Sequence, residues 1–155
     1  MSGTRMSVRR ALAVAATTAA LLGGGLVAVA PAGAAAAAVC DNWGATGTPG
    51  DIVGAYAHGT TCLITSGDAA GRVDLRTYLK DTAVDGMSAC VQIHATYADG
   101  GTRDEWFYNS GGGGAEWDVF HTFASSVRQI WVREGRGTGG VCTVMAGGVH
   151  VIYAS

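Results

Sequence analysis

The chain is short of the features that announce a function. It has two prolines in 155 residues, and 14% of its side chains are charged. From Val39 onward no segment holds a helical period for three turns, which excludes a helical bundle or an α/β unit. No G-x-S-x-G elbow is present: Ser66 precedes a glycine outside any such motif, and Ser125-Ser126 reads as a turn. The four cysteines, Cys40, Cys62, Cys90 and Cys142, include no pair at the short spacing of a zinc site. His58, His94, His121 and His150 stand alone, and no compact Asp-rich loop suits calcium. Gly111 to Gly114 lacks the following helix that a phosphate-binding glycine loop requires, and reads as a mobile tip. Neither a metal nor a cofactor is expected.

What is present begins with a leader. Arg5, Arg9 and Arg10 precede an uncharged apolar run from Ala11 to Ala30, and small residues follow as far as Val39. Residues 1–38 therefore read as a secretory signal peptide. Cleavage is expected between Ala34 and Ala38, because Pro31 disfavours a cut just after Ala30. A retained membrane anchor is the alternative, the run being just long enough to span; Gly23-Gly24-Gly25 and the small-residue exit speak against it. The expected destination is extracellular, with no membrane association after cleavage. About 117 residues then remain, enough for one domain. Seven basic side chains (Arg72, Arg76, Lys80, Arg103, Arg128, Arg133 and Arg136) face twelve acidic ones, a net charge of −5. The basic residues are scattered, which argues against a nucleic-acid partner. All four cysteines belong to the exported part, so two disulfides are expected. Three pairings are possible; Cys40 with Cys62 and Cys90 with Cys142 is favoured.

Residues 39–70, rich in Gly, Thr and Ala, suggest loops with short strands around Ile52 to Ala57 and Thr60 to Thr65. Residues 71–155 change texture. The runs RVDLRTYLK, SACVQIHATY, TRDEWFYN, EWDVFHTF, SVRQIWVRE, GVCTVMA and VHVIYA are separated by Gly, Asp, Asn and Ser. Short β-branched and aromatic runs at this spacing predict an all-β fold, a single-domain antiparallel β-sandwich with a small β-barrel as the alternative.

Asp99-Gly100 reads as a two-residue type I′ hairpin turn. That register pairs His94 with Glu105 and Ile93 with Trp106. It places Trp106 and Tyr108 on the core face beside Val91, Ile93, Ala95 and Tyr97, and it turns Glu105 and Phe107 outward with Gln92 and His94. Cys90 then points away from the core, which calls for a bulge near Ala89 or a bridge to a neighbouring strand. Trp117 and Trp131 are likewise assigned to the core. If Trp117 and Val119 point inward, Glu116, Asp118 and Phe120 point outward beside Glu105 and His94.

Two readings of that outward set are weighed. Glu105 with Glu116 or Asp118, and His94 nearby, are weak candidates for acid–base catalysis of glycoside hydrolysis; a solvated polar face is the commoner use of such charges. Phe107, Phe120 and Trp43 are the candidate binding rings, because exposed aromatics stack on sugars or anchor partner proteins.

At GRVDLRTYLKDTAVDGMSACVQIHATY and TFASSVRQIWVREGRG the chain resembles a group of small secreted actinobacterial proteins. They share a strand ending in K-D-T, a D-G turn, an A-C strand start and a later V-R-x-I strand. The resemblance covers Gly71 to Gly137. It implies a secreted β protein without an assigned activity, and of functional-looking positions it carries over Cys90 alone. The expectation is a secreted, non-enzymatic binding protein, extracellular or at the cell surface, whose ligand is a polysaccharide or another protein. A small hydrolase and an inhibitor or toxin-like protein with a disulfide-anchored loop near Cys40 to Cys62 are the alternatives.

Overall fold

The protein is described by a computed structural model covering residues 35–45 and 51–155. The leader's basic and apolar segments, Ala34 and Pro49 lie outside these residues. Among the described residues every regular element is a strand: β1 (Ala38–Gly44), β2 (Ala55–Ile64), β3 (Val73–Asp81), β4 (Ser88–Tyr97), β5 (Thr102–Asn109), β6 (Glu116–Phe123), β7 (Val127–Thr138), β8 (Val141–Met145) and β9 (His150–Ala154). Two open antiparallel sheets result, in the orders β1-β2-β3-β6 and β5-β4-β7-β8. β9 also pairs with β7, and because β4 occupies the other side of β7, β8 and β9 follow one another along a single edge. The sheets face each other as a sandwich and do not close into a barrel.

Alternation builds the core. On β3, Val73, Leu75, Thr77 and Leu79 are buried, while Asp74, Arg76, Tyr78 and Lys80 face out. Ala89, Val91, Ile93 and Ala95 of β4 and Ile130 and Val132 of β7 meet them from the other sheet. Each large aliphatic side chain so buried contributes about 1.5–3 kcal/mol. Phe123 is the one aromatic side chain fully buried among the described residues. The tryptophans assigned to the core are not in it. Trp106 is 42% exposed and Trp117 45%, and Trp131 is half-buried on the outer side of β7, where Gln129 and Arg133 share its face.

The hairpin after β4 explains much of that difference. Tyr97 accepts the Gly100 N–H at 3.0 Å and donates its own N–H to Gly101 at 2.9 Å. Among the described residues none other than glycine has a positive φ, so Asp99 does not take a type I′ position; in this loop Gly100 alone has a positive φ, at 84°. The connection is a three-residue loop ending in a left-handed glycine. Its extra residue moves the register by one, so that His94 faces Asp104, Gln92 faces Trp106 and Cys90 faces Tyr108. A one-residue slip reverses every side chain of the strand. Trp106 and Tyr108 therefore lie on the outer face with His94, whereas Glu105 and Phe107 turn inward.

Both disulfides form as favoured, Cys40–Cys62 and Cys90–Cys142. Cys40 stands directly opposite Cys62 in the β1–β2 ladder. β1 was not anticipated, and β2 is one long strand running through Gly59 in place of two short ones. Cys90 does face away from the core. Its bridge stays within the sheet, crossing β7 to reach β8 over Gly135 and Gly137, where the missing side chains leave room. A Cβ on Gly135 would stand 3.0 Å from the Cys90 sulfur.

Candidate functional site

The sandwich has two flanks, and the stretch 104–120 builds one of them. β5 and β6 are the edge strands of opposite sheets, joined by the glycine-rich turn. Asn109 fastens that turn. It is fully buried, donates its amide to the carbonyls of Leu79 (2.8 Å) and Ala115 (2.7 Å), and accepts the Gly111 N–H at 2.9 Å. The Gly114 N–H adds a bond to Asp81 at 2.6 Å, so the glycine loop is tied to both sheets and is not a free tip. At the far end, Arg103 donates to the Thr122 carbonyl (2.9 Å), pairs with Glu105 at 2.7 Å and lies over the Phe123 ring. His121 approaches Glu105 at 3.7 Å, and burial holds its pKa below the ordinary imidazole value, with Glu105 opposing and Arg103 reinforcing that shift.

The exposed rings gather on this flank. Trp106 on β5 and Trp117 and Phe120 on β6 are 42%, 45% and 60% exposed, and none stacks on another ring. They project from the outer face of one sheet, from the seam between the sheets and from the outer face of the other. Trp117 belongs to the inward side of β6, opposite Leu79, and is exposed because β6 has no neighbour beyond it. Of the rings expected to be exposed, Phe120 is so placed. Phe107 is half-buried against the core, and Trp43 lies against it over Gly59, so neither offers a free face. Trp106 and Trp117 were missed as surface rings, since large apolar residues within a strand pattern read as core.

The four polar candidates are dispersed over three surfaces. Glu105 sits in the seam. Glu116 and Asp118 lie on the outer face of the first sheet, where Glu116 meets His58 at 3.1 Å and Asp118 pairs with Arg76 at 2.8 Å. Beside them Tyr56, His58 and Tyr78 stack in a row at 4.7 and 5.2 Å, and Arg76 caps Tyr78 at 5.1 Å. These rings spend their faces on one another. His94 lies on the outer face of the second sheet, stacked on Trp131 at 4.5 Å and bonded to Asp104 at 2.9 Å. Its hydrogen bond draws the Asp104 pKa below the ordinary carboxyl value; burial opposes that shift, and a hydrogen bond from Gln92 reinforces it. The geometry does not join Glu105 to Glu116 or Asp118 as an acid–base couple, and each of the three carboxylates has a cationic or imidazole partner. The Cys40–Cys62 bridge joins paired strands and does not anchor a projecting loop.

A further carboxyl was not anticipated. Glu134 of β7 is 2% exposed and reaches across the core to accept the Ala57 N–H at 2.5 Å. On the same edge of β2 the Ala57 carbonyl accepts the Ala45 N–H at 2.9 Å, just past the end of β1. Burial first, and a hydrogen bond with Asp51 second, push the Glu134 pKa up to about 8, against the Ala57 N–H that opposes the rise. Glu134 is thus a neutral inter-sheet clasp at neutral pH. Asp51 also borders a cavity of about 430 Å³ lined by residues 51–56 and Thr82.

No protein-family profile matches the chain, and neither curated proteins nor solved structures yield a similar one.

Proposed function

We propose that the chain is a secreted, non-enzymatic binding protein that acts outside the cell or at its surface and takes a polysaccharide or another protein through the β5–β6 flank. The observation that carries this reading is the gathering of Trp106, Trp117 and Phe120 on two adjacent edge strands, each with its ring uncovered. Rings of this kind stack on the apolar faces of sugars and serve as anchors at interfaces. Arg103 and Glu105 in the seam, and the Arg76–Asp118 pair beside Phe120, supply hydrogen-bonding groups next to the rings. Asn109 and the Arg103 bond to Thr122 hold the two strands together, so the rings need little ordering when they bind. Secretion is supported by the leader pattern and is compatible with two disulfides.

The test is co-sedimentation with cell-wall, chitin and cellulose preparations, alongside capture of extracellular proteins. Binding to one polysaccharide, lost in the W106A/W117A/F120A variant with the unfolding midpoint preserved, is the expected result. Capture of a protein and of no polysaccharide, with the same loss in the variant, selects the protein ligand. Absence of binding to either class, or binding that the variant retains, overturns the reading.

A further inference from the structure

The opposite flank, between β1 and β9, is built differently. Among the described residues no hydrogen bond or ion pair joins the two sheets there, and a cleft of about 460 Å³ opens between them. One wall is formed by the inward-facing Val39 and Asp41 of β1 with Thr61 and Leu63 of β2, and the other by residues 151–154 of β9. The volume falls in the range of about 300–1,000 Å³ typical of small-molecule sites.

Two polar side chains on the β1–β2 wall of this cleft have no partner among the described residues. Thr61 is only 4% exposed, yet its Oγ1 makes no hydrogen bond. A buried hydroxyl left in that state costs about 1–3 kcal/mol, so its retention beside a cleft points to something that binds it. Asp41 stands directly opposite Thr61 in the β1–β2 register, and its carboxylate has no hydrogen bond or ion pair among the described residues. Residues directly opposite in an antiparallel pair have Cβ atoms about 4.5–5.5 Å apart, so one donor group can reach both. No cationic side chain lines the cleft, and Asp41 is its only carboxylate. The wall is also held in shape: Cys40 and Cys62 alternate with these four residues and are bonded to each other on the outer side of the same two strands. A wall fixed before binding loses little entropy on binding.

We propose that this cleft binds a small amphipathic amine. Its ammonium donates hydrogen bonds to the Asp41 carboxylate and to Thr61 Oγ1, and its aliphatic or aromatic body lies between Leu63 and Val39 on one side and Ile152 and Tyr153 on the other. The site is separate from the aromatic flank and does not depend on what that flank binds.

The experiment is an NMR titration of the protein with three probes of one length: n-hexylamine, hexan-1-ol and hexanoate. Hexylamine is expected to shift the amide signals of residues 39–41, 61–63 and 151–153 and to bind more tightly than hexanol, with hexanoate weakest. Asp41→Asn should weaken hexylamine roughly fivefold, the scale of a partly exposed ion pair, and leave hexanol unchanged. Thr61→Val should weaken hexylamine while raising the unfolding midpoint, because a methyl replaces an unpaired buried hydroxyl. The W106A/W117A/F120A variant should bind hexylamine like the parent protein, which keeps the fate of this site distinct from that of the flank. Equal binding of hexanoate, an unchanged hexylamine affinity in Asp41→Asn, shifts that map elsewhere, or no response to any probe overturns the proposal.

Discussion

Glu134 gives a prediction whose size follows from the structure. Its carboxyl titrates near 4.5 in the ordinary state and near 8 in the folded protein. Between those values the folded chain keeps a proton that the unfolded chain has released, so unfolding is favoured progressively as pH rises. Each pH unit costs about 1.4 kcal/mol of stability, so the whole window removes at most about 5 kcal/mol, and relaxation around the carboxyl and coupling to Asp51 reduce that ceiling. The contribution is intact below about pH 4.5, is lost as pH rises toward 8, and changes no further above it. Glu134→Gln is the matching perturbation: the amide carbonyl still accepts the Ala57 N–H, and the side chain carries no charge at any pH. Urea unfolding of both proteins from pH 5 to pH 9.5 separates this group and its coupling to Asp51 from the remaining titrations, which are common to the pair. The variant should gain several kcal/mol on the parent protein between pH 5 and pH 8.5, and the difference should then level off. Parallel stability curves would refute the assignment of a neutral, buried Glu134.

Other consequences are simpler to measure. Cys90–Cys142 closes 52 residues and Cys40–Cys62 closes 22, so chain entropy assigns them about 4 and about 3 kcal/mol; the paired Cys90→Ala/Cys142→Ala variant should unfold at the lower urea concentration of the two double variants. Asn109→Ala removes three hydrogen bonds made by a buried side chain and leaves the Leu79 and Ala115 carbonyls without their side-chain donor, a loss of about 3 kcal/mol. Calorimetry gives the stability change, and the Gly111 and Gly114 amides should exchange with solvent faster than in the parent protein.

The strands from Val73 to Ala154 were legible because each is a short apolar alternation bounded by turn residues, and the structure places all seven close to where the pattern puts them. β1 was not legible: as an edge strand, exposed along most of its length, it carries little alternation, and its pairing rests on backbone bonds and the disulfide opposite Cys62. The register of β5 was misread for a local reason. Asp99-Gly100 fits both a two-residue and a three-residue loop, and only the sign of φ at Asp99 separates them. That single residue decided whether Trp106 or Phe107 reached the surface. Glu134 left a trace that could have been followed, since Ile130, Val132 and Glu134 share one period-2 face and the first two are plainly core. Trp131 left the converse trace, lying between Gln129 and Arg133 on the polar face. What no pattern holds is the meeting of distant segments: Arg103 with Thr122, Glu134 with Ala57, and Asp41 and Thr61 across from β9.

The central claim is that the β5–β6 flank is the binding surface, and the four indole N–H signals test it most directly. During titration with a soluble fragment of whichever preparation the protein retains, the Trp106 and Trp117 signals should shift in step with occupancy, while that of Trp43, packed against the core, should not move. Shifts confined to Trp43 or Trp131, with Trp106 and Trp117 unchanged at saturation, would contradict it.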